Sequence, residues 1–108
     1  MAREREPGGL DLLILSLLSE REMYGYEIVT ELARRSDETF RLREGTLYPL
    51  LHRLEQEGAV AAREDKAAGR PRRYYRLTKK GGEKLAEREA EWVRYSSAVN
   101  AVLSRAGA

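Results

Sequence analysis

The cations of this chain are gathered where they could hold phosphate. Between Lys66 and Gly82 lie Lys66, Arg70, Arg72, Arg73, Arg76, Lys79 and Lys80, with no acid among them. Those seven charges sit in a 108-residue chain of net charge +2, which leaves −5 for the rest. Clustering of one sign in an otherwise acidic molecule is the electrostatic footprint of a polyanion binder. A charge run standing alone is as well explained by a solvated loop, so its neighbours decide. Just upstream, Leu47, Leu50, Leu51 and Leu54 form one apolar stripe at helical spacing. The opposite face of that helix holds Gly45, Pro49, His52, Arg53 and Gln56, with Thr46 and Tyr48 on its flanks and Glu55 and Glu57 tilted from its centre. A helix fits the major groove, and hydrogen-bonding side chains on its outward face can meet base edges and phosphates. Arg53 suits either contact. His52 is a DNA contact or a plain surface histidine, and Tyr48 can be half-buried core with its hydroxyl reaching outward. Arg70, Arg72 and Arg73 are the strongest phosphate candidates, because they share a basic tip. Arg76 alternates to another face.

Other chemistries fit poorly. The chain has no cysteine and one histidine, so neither a disulfide nor a thiolate metal site exists and a zinc site built within one chain is not expected. No acid lies where packing would pair it with His52, and Gly81-Gly82 lacks the strand, glycine-rich loop and helix of a phosphate cradle. Neither an enzyme nor a cofactor is expected. No apolar run approaches the about 20 residues that cross a bilayer, and Met1 to Glu6 lacks the apolar stretch of a signal peptide. A cytoplasmic protein follows as the expectation.

The elements that must position these residues are legible as patterns. Residues 1–8, with Pro7-Gly8, are expected to be a flexible arm. Leu10, Leu13, Ile14, Leu17 and Leu18 mark an amphipathic helix, and Leu12 and Leu15 lie off its stripe, which suggests burial on two sides. Ser19 to Glu22 is a polar connection. A second helix starts near Gly25 and closes at Arg34-Arg35, where cations suit the C-terminal dipole. Within the polar stretch 36–44, Phe40 and Leu42 alternate in a way that suits a very short strand or extended segment. The third helix starts at Glu44 or Gly45, which keeps Pro49 early, and Gly58 is a natural residue just past its end. Two strands, Ala59–Arg63 and Arg73–Leu77, flank the basic tip Asp65–Pro71 and make a wing. Thr78 suits an N-cap for a last helix running to about Arg105.

Helix, helix, extended segment, helix, strand, basic turn, strand, helix is the order of a winged helix-turn-helix domain with one added helix. The expected class is mainly α (α+β), with the DNA-binding domain over 9–78 and a dimerisation helix over 79–108.

Three blocks then bring a specific resemblance. Tyr24-Gly25-Tyr26-Glu27-Ile28, the run from Gly45 through Thr46-Leu47-Tyr48-Pro49 to Glu55 followed by Gly58, and Gly69-Arg70-Pro71-Arg72-Arg73-Tyr74-Tyr75-Arg76-Leu77-Thr78 together resemble the PadR family of transcriptional regulators. The blocks cover most of 9–82, at matching spacing. The resemblance implies a winged-helix fold, a homodimer, and repression released by a small molecule or other signal. It also implies that Tyr26 and Tyr48 lie near DNA, and the single last helix looks like the small subgroup. Gly81-Gly82 departs from the one glycine usual there. The expected DNA-binding set is therefore Tyr26, Thr46, Tyr48, Pro49, His52, Arg53, Arg70, Arg72, Arg73 and Lys79, acting on double-stranded DNA at a palindromic operator.

Leu85, Trp92 and Val99 repeat every seven residues, with Tyr95 and Val102 extending that side. A lone helix would expose them, so pairing through the first and last helices is expected, each large apolar side chain contributing roughly 1.5–3 kcal/mol. Trp92 either fills that interface or, with Glu89, Ser96 and Val99, lines a pocket for a planar aromatic effector held by stacking. Two other readings stay open: a winged-helix module for protein assembly, and an architectural DNA binder without effector control.

Overall fold

The computed structural model describes residues 9–66 and 69–104; the expected arm at 1–8 and the expected helix end at Arg105 lie outside them. The elements are α1 (Leu10–Leu18), β1 (Met23–Tyr24), α2 (Gly25–Arg35), α3 (Glu44–Gln56), β2 (Val60–Asp65), β3 (Arg72–Leu77) and α4 (Lys79–Leu103). The three strands form one antiparallel sheet in the order β1-β3-β2. This is a mainly α winged-helix fold in which the β2–β3 hairpin is the wing.

The core is built from the stripes. Ile14, Leu15, Leu17 and Leu18 of α1, Ile28 and Leu32 of α2, and Leu47, Leu50, Leu51 and Leu54 of α3 are buried together with Met23, Val60 and Tyr75. Leu15, off the α1 stripe, is fully buried in this core, and Leu12 is partly exposed toward α4. Of the two off-stripe leucines only Leu15 is thus covered, while Leu12, with Leu13 of the stripe, lines a cleft toward α4.

The end of α3 is set by Gly58, whose φ of 81° is left-handed. Its amide donates to the Glu55 carbonyl at 3.0 Å and the Ala59 amide donates to that of Leu54 at 2.9 Å. This pair of bonds closes the helix and turns the chain directly into β2. Pro49 stands inside α3. It removes one helical donor, and both Pro49 and Gly45, four residues earlier, are exposed, so the unmatched carbonyl costs little.

Two expectations are corrected. Residues 36–43 form no strand. Asp37 and Glu38 take left-handed φ values of 53° and 68°, and the Glu38 amide caps α2 by donating to the Ala33 carbonyl at 2.7 Å. The alternating Phe40 and Leu42 pack on the core from a loop, because apolar anchors of a surface loop have no strand partner to continue them. The third strand is instead β1, with Met23 paired to Tyr75 and Tyr24 to Tyr74. Two residues are too few for a visible alternation, and the Ser19–Glu22 connection hides the strand beside it.

The start of α4 is a tight joint. Thr78 Oγ1 accepts from the Gly81 amide at 2.9 Å and donates to the Gly58 carbonyl at 2.6 Å. A Cβ at Gly81 would overlap the Ala59 carbonyl oxygen and lie 2.8 Å from Leu77 Cδ1. Gly81 is therefore demanded by packing against the base of the wing. Along α4, Arg88 donates to Asp11 Oδ1 at 2.7 Å, an ion pair with both side chains about nine-tenths buried. It ties α4 to the first turn of α1.

Candidate nucleic-acid interface

Helix α3 presents its polar face outward. Its core stripe is buried, and Thr46, Tyr48, Pro49, His52 and Gln56 are exposed. Arg53 is half-buried at the edge of that face, 3.7 Å from Glu57. The helical wheel thus places these residues on the expected side. Pro49 stiffens the first half of the face and offers no donor.

Tyr48 bridges two elements. It is 42% exposed, and its outer ring lies against Gly25 at the first residue of α2. Desolvation, with the Glu44 carboxylate as a smaller cause, raises its phenol above the ordinary pKa of 10.0. It therefore remains a hydroxyl donor throughout the neutral range. Tyr26, 69% exposed, lies close by: both tyrosines line one open cleft with Gly25, Leu42, Arg43 and Glu44. Tyr48 is thus half-buried: the outer end of its ring is packed on Gly25 while the residue as a whole stays 42% exposed. Arg43, the residue preceding α3 and exposed, belongs to this group and escaped the sequence reading. Its only signal was a cation directly before α3, in a stretch read as extended.

The wing is less simply basic than its sequence. Acid-free in order from Lys66 to Gly82, the basic run is not acid-free in space, because the hairpin register sets Asp65 opposite Arg72 and Glu64 opposite Arg73. Arg73 donates to Glu55 of α3 at 2.9 Å, and that bond and charge hold its guanidinium pKa above the usual value. Arg72 stacks over Tyr24, 4.6 Å from the ring centre, and Arg63 over Tyr74 at 5.0 Å. Tyr24 and Tyr74 meet edge to face at 5.3 Å, and Arg63 is itself bound to Glu22 at 2.6 Å. The three tip arginines therefore separate: Arg73 turns toward α3, Arg72 lies along the opposite sheet face, and Arg70 is exposed just after Gly69. Gly69 takes a left-handed φ of 81° that turns the hairpin. Lys79 is exposed at the first residue of α4.

A second cleft of about 290 Å³ lies between α1 and α4, lined by Leu12, Leu13, Ser16, Phe40, Leu85, Glu89 and Trp92. Trp92 is 51% exposed, and its ring centre is 5.9 Å from that of Tyr95. Of the four expected effector residues, the cleft gathers Glu89 and Trp92. Ser96 and Val99 continue the same stripe of α4 beyond it, and the Ser96 hydroxyl donates to the Val93 carbonyl within the helix.

Among the described residues, no group of acids and histidine is placed to hold a metal ion, and no helix is long and apolar enough to cross a membrane.

Known proteins give this geometry its context. The profile of the transcriptional regulator PadR-like family matches residues 14–87. The chain is 38% identical to the transcriptional regulator Rv3488 of Mycobacterium tuberculosis, over 79% of this chain and 77% of that one. A PadR family transcriptional regulator from Eggerthella lenta superposes with a TM-score of 0.80 at 39% identity, covering 90% of this chain and 83% of its own. A PadR-like transcriptional regulator from Bacillus cereus superposes at 0.79 with 35% identity, covering 91% and 94%. With the family profile spanning α1 through the first part of α4, the chain belongs to the PadR-like family of transcriptional regulators, proteins that are not enzymes.

Proposed function

We propose that this regulator is a homodimeric repressor that reads a palindromic operator with α3 and answers to a planar aromatic effector. The observation that carries the DNA reading is the shared surface of Tyr26 and Tyr48 beside the exposed face of α3. Thr46, Pro49, His52 and Arg53 continue that surface into the major groove. Arg70, Arg72, Arg73 and Lys79 supply phosphate contacts from the flanks, where they add affinity without sequence information. Selection of bound duplexes from random DNA tests this. The expected product is an inverted repeat with half-sites about 34 Å apart. Enrichment of no sequence at all would favour an architectural binder, and absence of DNA binding at low salt would favour a protein-assembly module.

Dimerisation is supported by what α4 leaves uncovered. Val93, Tyr95 and Leu103 are exposed beside Trp92, and Val102 is 83% exposed. The helix is long, and the described residues extend 61 × 29 × 24 Å. Pairing of α4 and α1 with a second copy buries this apolar face, at roughly 1.5–3 kcal/mol for each large side chain. Sedimentation at micromolar concentration checks it, with a dimer expected and a full-length monomer refuting it.

The effector reading rests on the cleft between α1 and α4. Trp92 offers an indole face, and Glu89 adds a carboxylate to a lining that is apolar apart from Ser16, which suits a planar aromatic cation. Such compounds are expected to quench Trp92 fluorescence and weaken DNA binding. Trp92→Ala is expected to keep the dimer and abolish the response; dissociation of the dimer by that change would make Trp92 packing alone.

A further inference from the structure

We propose that Gly25 is a positioning residue for DNA binding: its missing Cβ seats the outer end of Tyr48 against the first turn of α2 and sets Tyr48 beside Tyr26 on one surface. The inference rests on the reading of Tyr48 as a DNA contact given above.

Gly25 is buried at the first residue of α2, and its φ is not among the left-handed glycine values. The backbone at this position therefore accepts any L residue, and alanine is the better helix former. What excludes a side chain is Tyr48. A Cβ at position 25 would overlap Tyr48 Oη and lie 2.7 Å from Cζ and 3.1 Å from Cε1, where atoms at rest stand about 3.5–4.0 Å apart. All three atoms belong to the far end of one rotatable side chain. An added methyl group thus displaces the phenol and leaves the backbone of α2 in place.

The seat also explains how a partly exposed tyrosine acquires a fixed direction. Tyr48 leaves α3 near its N-terminal end, and its ring crosses to α2, where Tyr26 follows Gly25 by one residue. The contact immobilises the phenol on folding, so its ordering does not have to be met again when DNA arrives. The desolvation that raises the Tyr48 pKa is the electrostatic trace of the same contact. Gly25 thereby couples the two helices of the helix-turn-helix through the side chain that faces the ligand.

The test is a double-variant cycle on the full chain, with a duplex that the wild-type protein selects from a random pool. Gly25→Ala is expected to keep the unfolding midpoint and to lose at least about tenfold in affinity, the lower end for a lost hydrogen bond to a charged acceptor. In a Tyr48→Ala background, Gly25→Ala is expected to change affinity by less than about twofold, the margin for additive effects. In DNA-free protein carrying fluorotyrosine at position 48, Gly25→Ala is expected to move that fluorine resonance, which a defect in α2 alone would not single out. Equal losses in both backgrounds overturn the proposal, as does a stability loss that persists in the double variant or a wild-type affinity in Gly25→Ala. Tyr48→Ala binding as tightly as wild type overturns the DNA reading of Tyr48 itself, and the positioning role with it; the single variant alone identifies that outcome.

Discussion

Two adjacent glycines open α4, and the same substitution at each is expected to act in opposite directions. Gly82 is partly exposed, and a Cβ there meets nothing nearer than Leu77 Cδ2 at 3.9 Å, an ordinary van der Waals distance. Gly82→Ala therefore removes a helix-interior glycine without strain and stabilises by about 0.5–1 kcal/mol. At Gly81 the added carbon overlaps the Ala59 carbonyl oxygen and stands 2.9 Å from the Ala59 carbonyl carbon. That backbone cannot yield easily, since the Thr78 amide donates to the same carbonyl at 3.1 Å. Relief requires the first turn of α4 to move. The move costs about 1–3 kcal/mol of overpacking and about 1 kcal/mol for the weakened Thr78 cap, against about 1 kcal/mol of regained helix propensity. A net loss of about 1–3 kcal/mol results. Both variants restrict the unfolded chain alike, so their difference of about 2–4 kcal/mol reports only native geometry. Urea denaturation at one fixed protein concentration measures it, since a dimer's midpoint depends on concentration. Equal midpoints for the two variants would refute the packing account of Gly81.

The remaining expectations concern ion pairs. Arg88→Met alone is expected to cost about 3–5 kcal/mol, because it strands the buried Asp11 carboxylate, and Asp11→Ala is expected to cost less, since Arg88 keeps Glu91 at 3.2 Å; the Asp11→Leu, Arg88→Met double variant recovers much of the larger loss, and chemical denaturation of all three checks it. In the wing, Arg70→Ala is expected to reduce the log–log salt slope of DNA binding by about 0.9. Glu55→Gln, which releases Arg73, is expected to steepen the slope, and an unchanged slope in both would make the basic turn a solvated loop. Acidification acts through carboxylates whose folded pKa is depressed. The Glu31 carboxyl, bonded to Arg34 and Arg35, titrates at about 2 instead of 4.5, and Glu20 and Glu22 are lowered by Arg35 and Arg63. Their stabilisation is complete above pH 4.5 and is lost as pH falls toward 2. Glu31→Gln is expected to flatten that decline in a series of thermal melts.

What could be read from the sequence follows the range of the forces involved. Helices α1, α2 and α3 were legible because their apolar stripes repeat within a few residues, and the ends of α3 and α4 because Gly58 and Thr78 act on their own turns. Strand β1 was not. Met23 and Tyr24 become a strand only because β3, some fifty residues later, presents free edge groups to them. Phe40 and Leu42 misled for the converse reason, since alternation reports which side of a segment is buried and not whether another strand lies beside it.

The same distinction separates the parts of the site. The outward set on α3 was recoverable, as a helical wheel converts spacing into direction. The wing's charge was not, because neutralisation depends on register: Glu64 and Asp65 precede the basic run in sequence yet stand across from Arg73 and Arg72 in the hairpin. A count of cations along the chain therefore overstates the field that DNA would meet, and Arg70, exposed at the turn, is the residue expected to carry the largest single share of it. Asp11 and Arg88, 77 residues apart, reveal nothing to pattern reading, since one charged residue in an apolar run looks like a solvated interruption. Their burial fixes how α4 leaves the winged-helix core. If a second copy pairs on α4 as proposed above, this joint would govern where that copy places its own α3, and so the spacing between the two proposed reading helices.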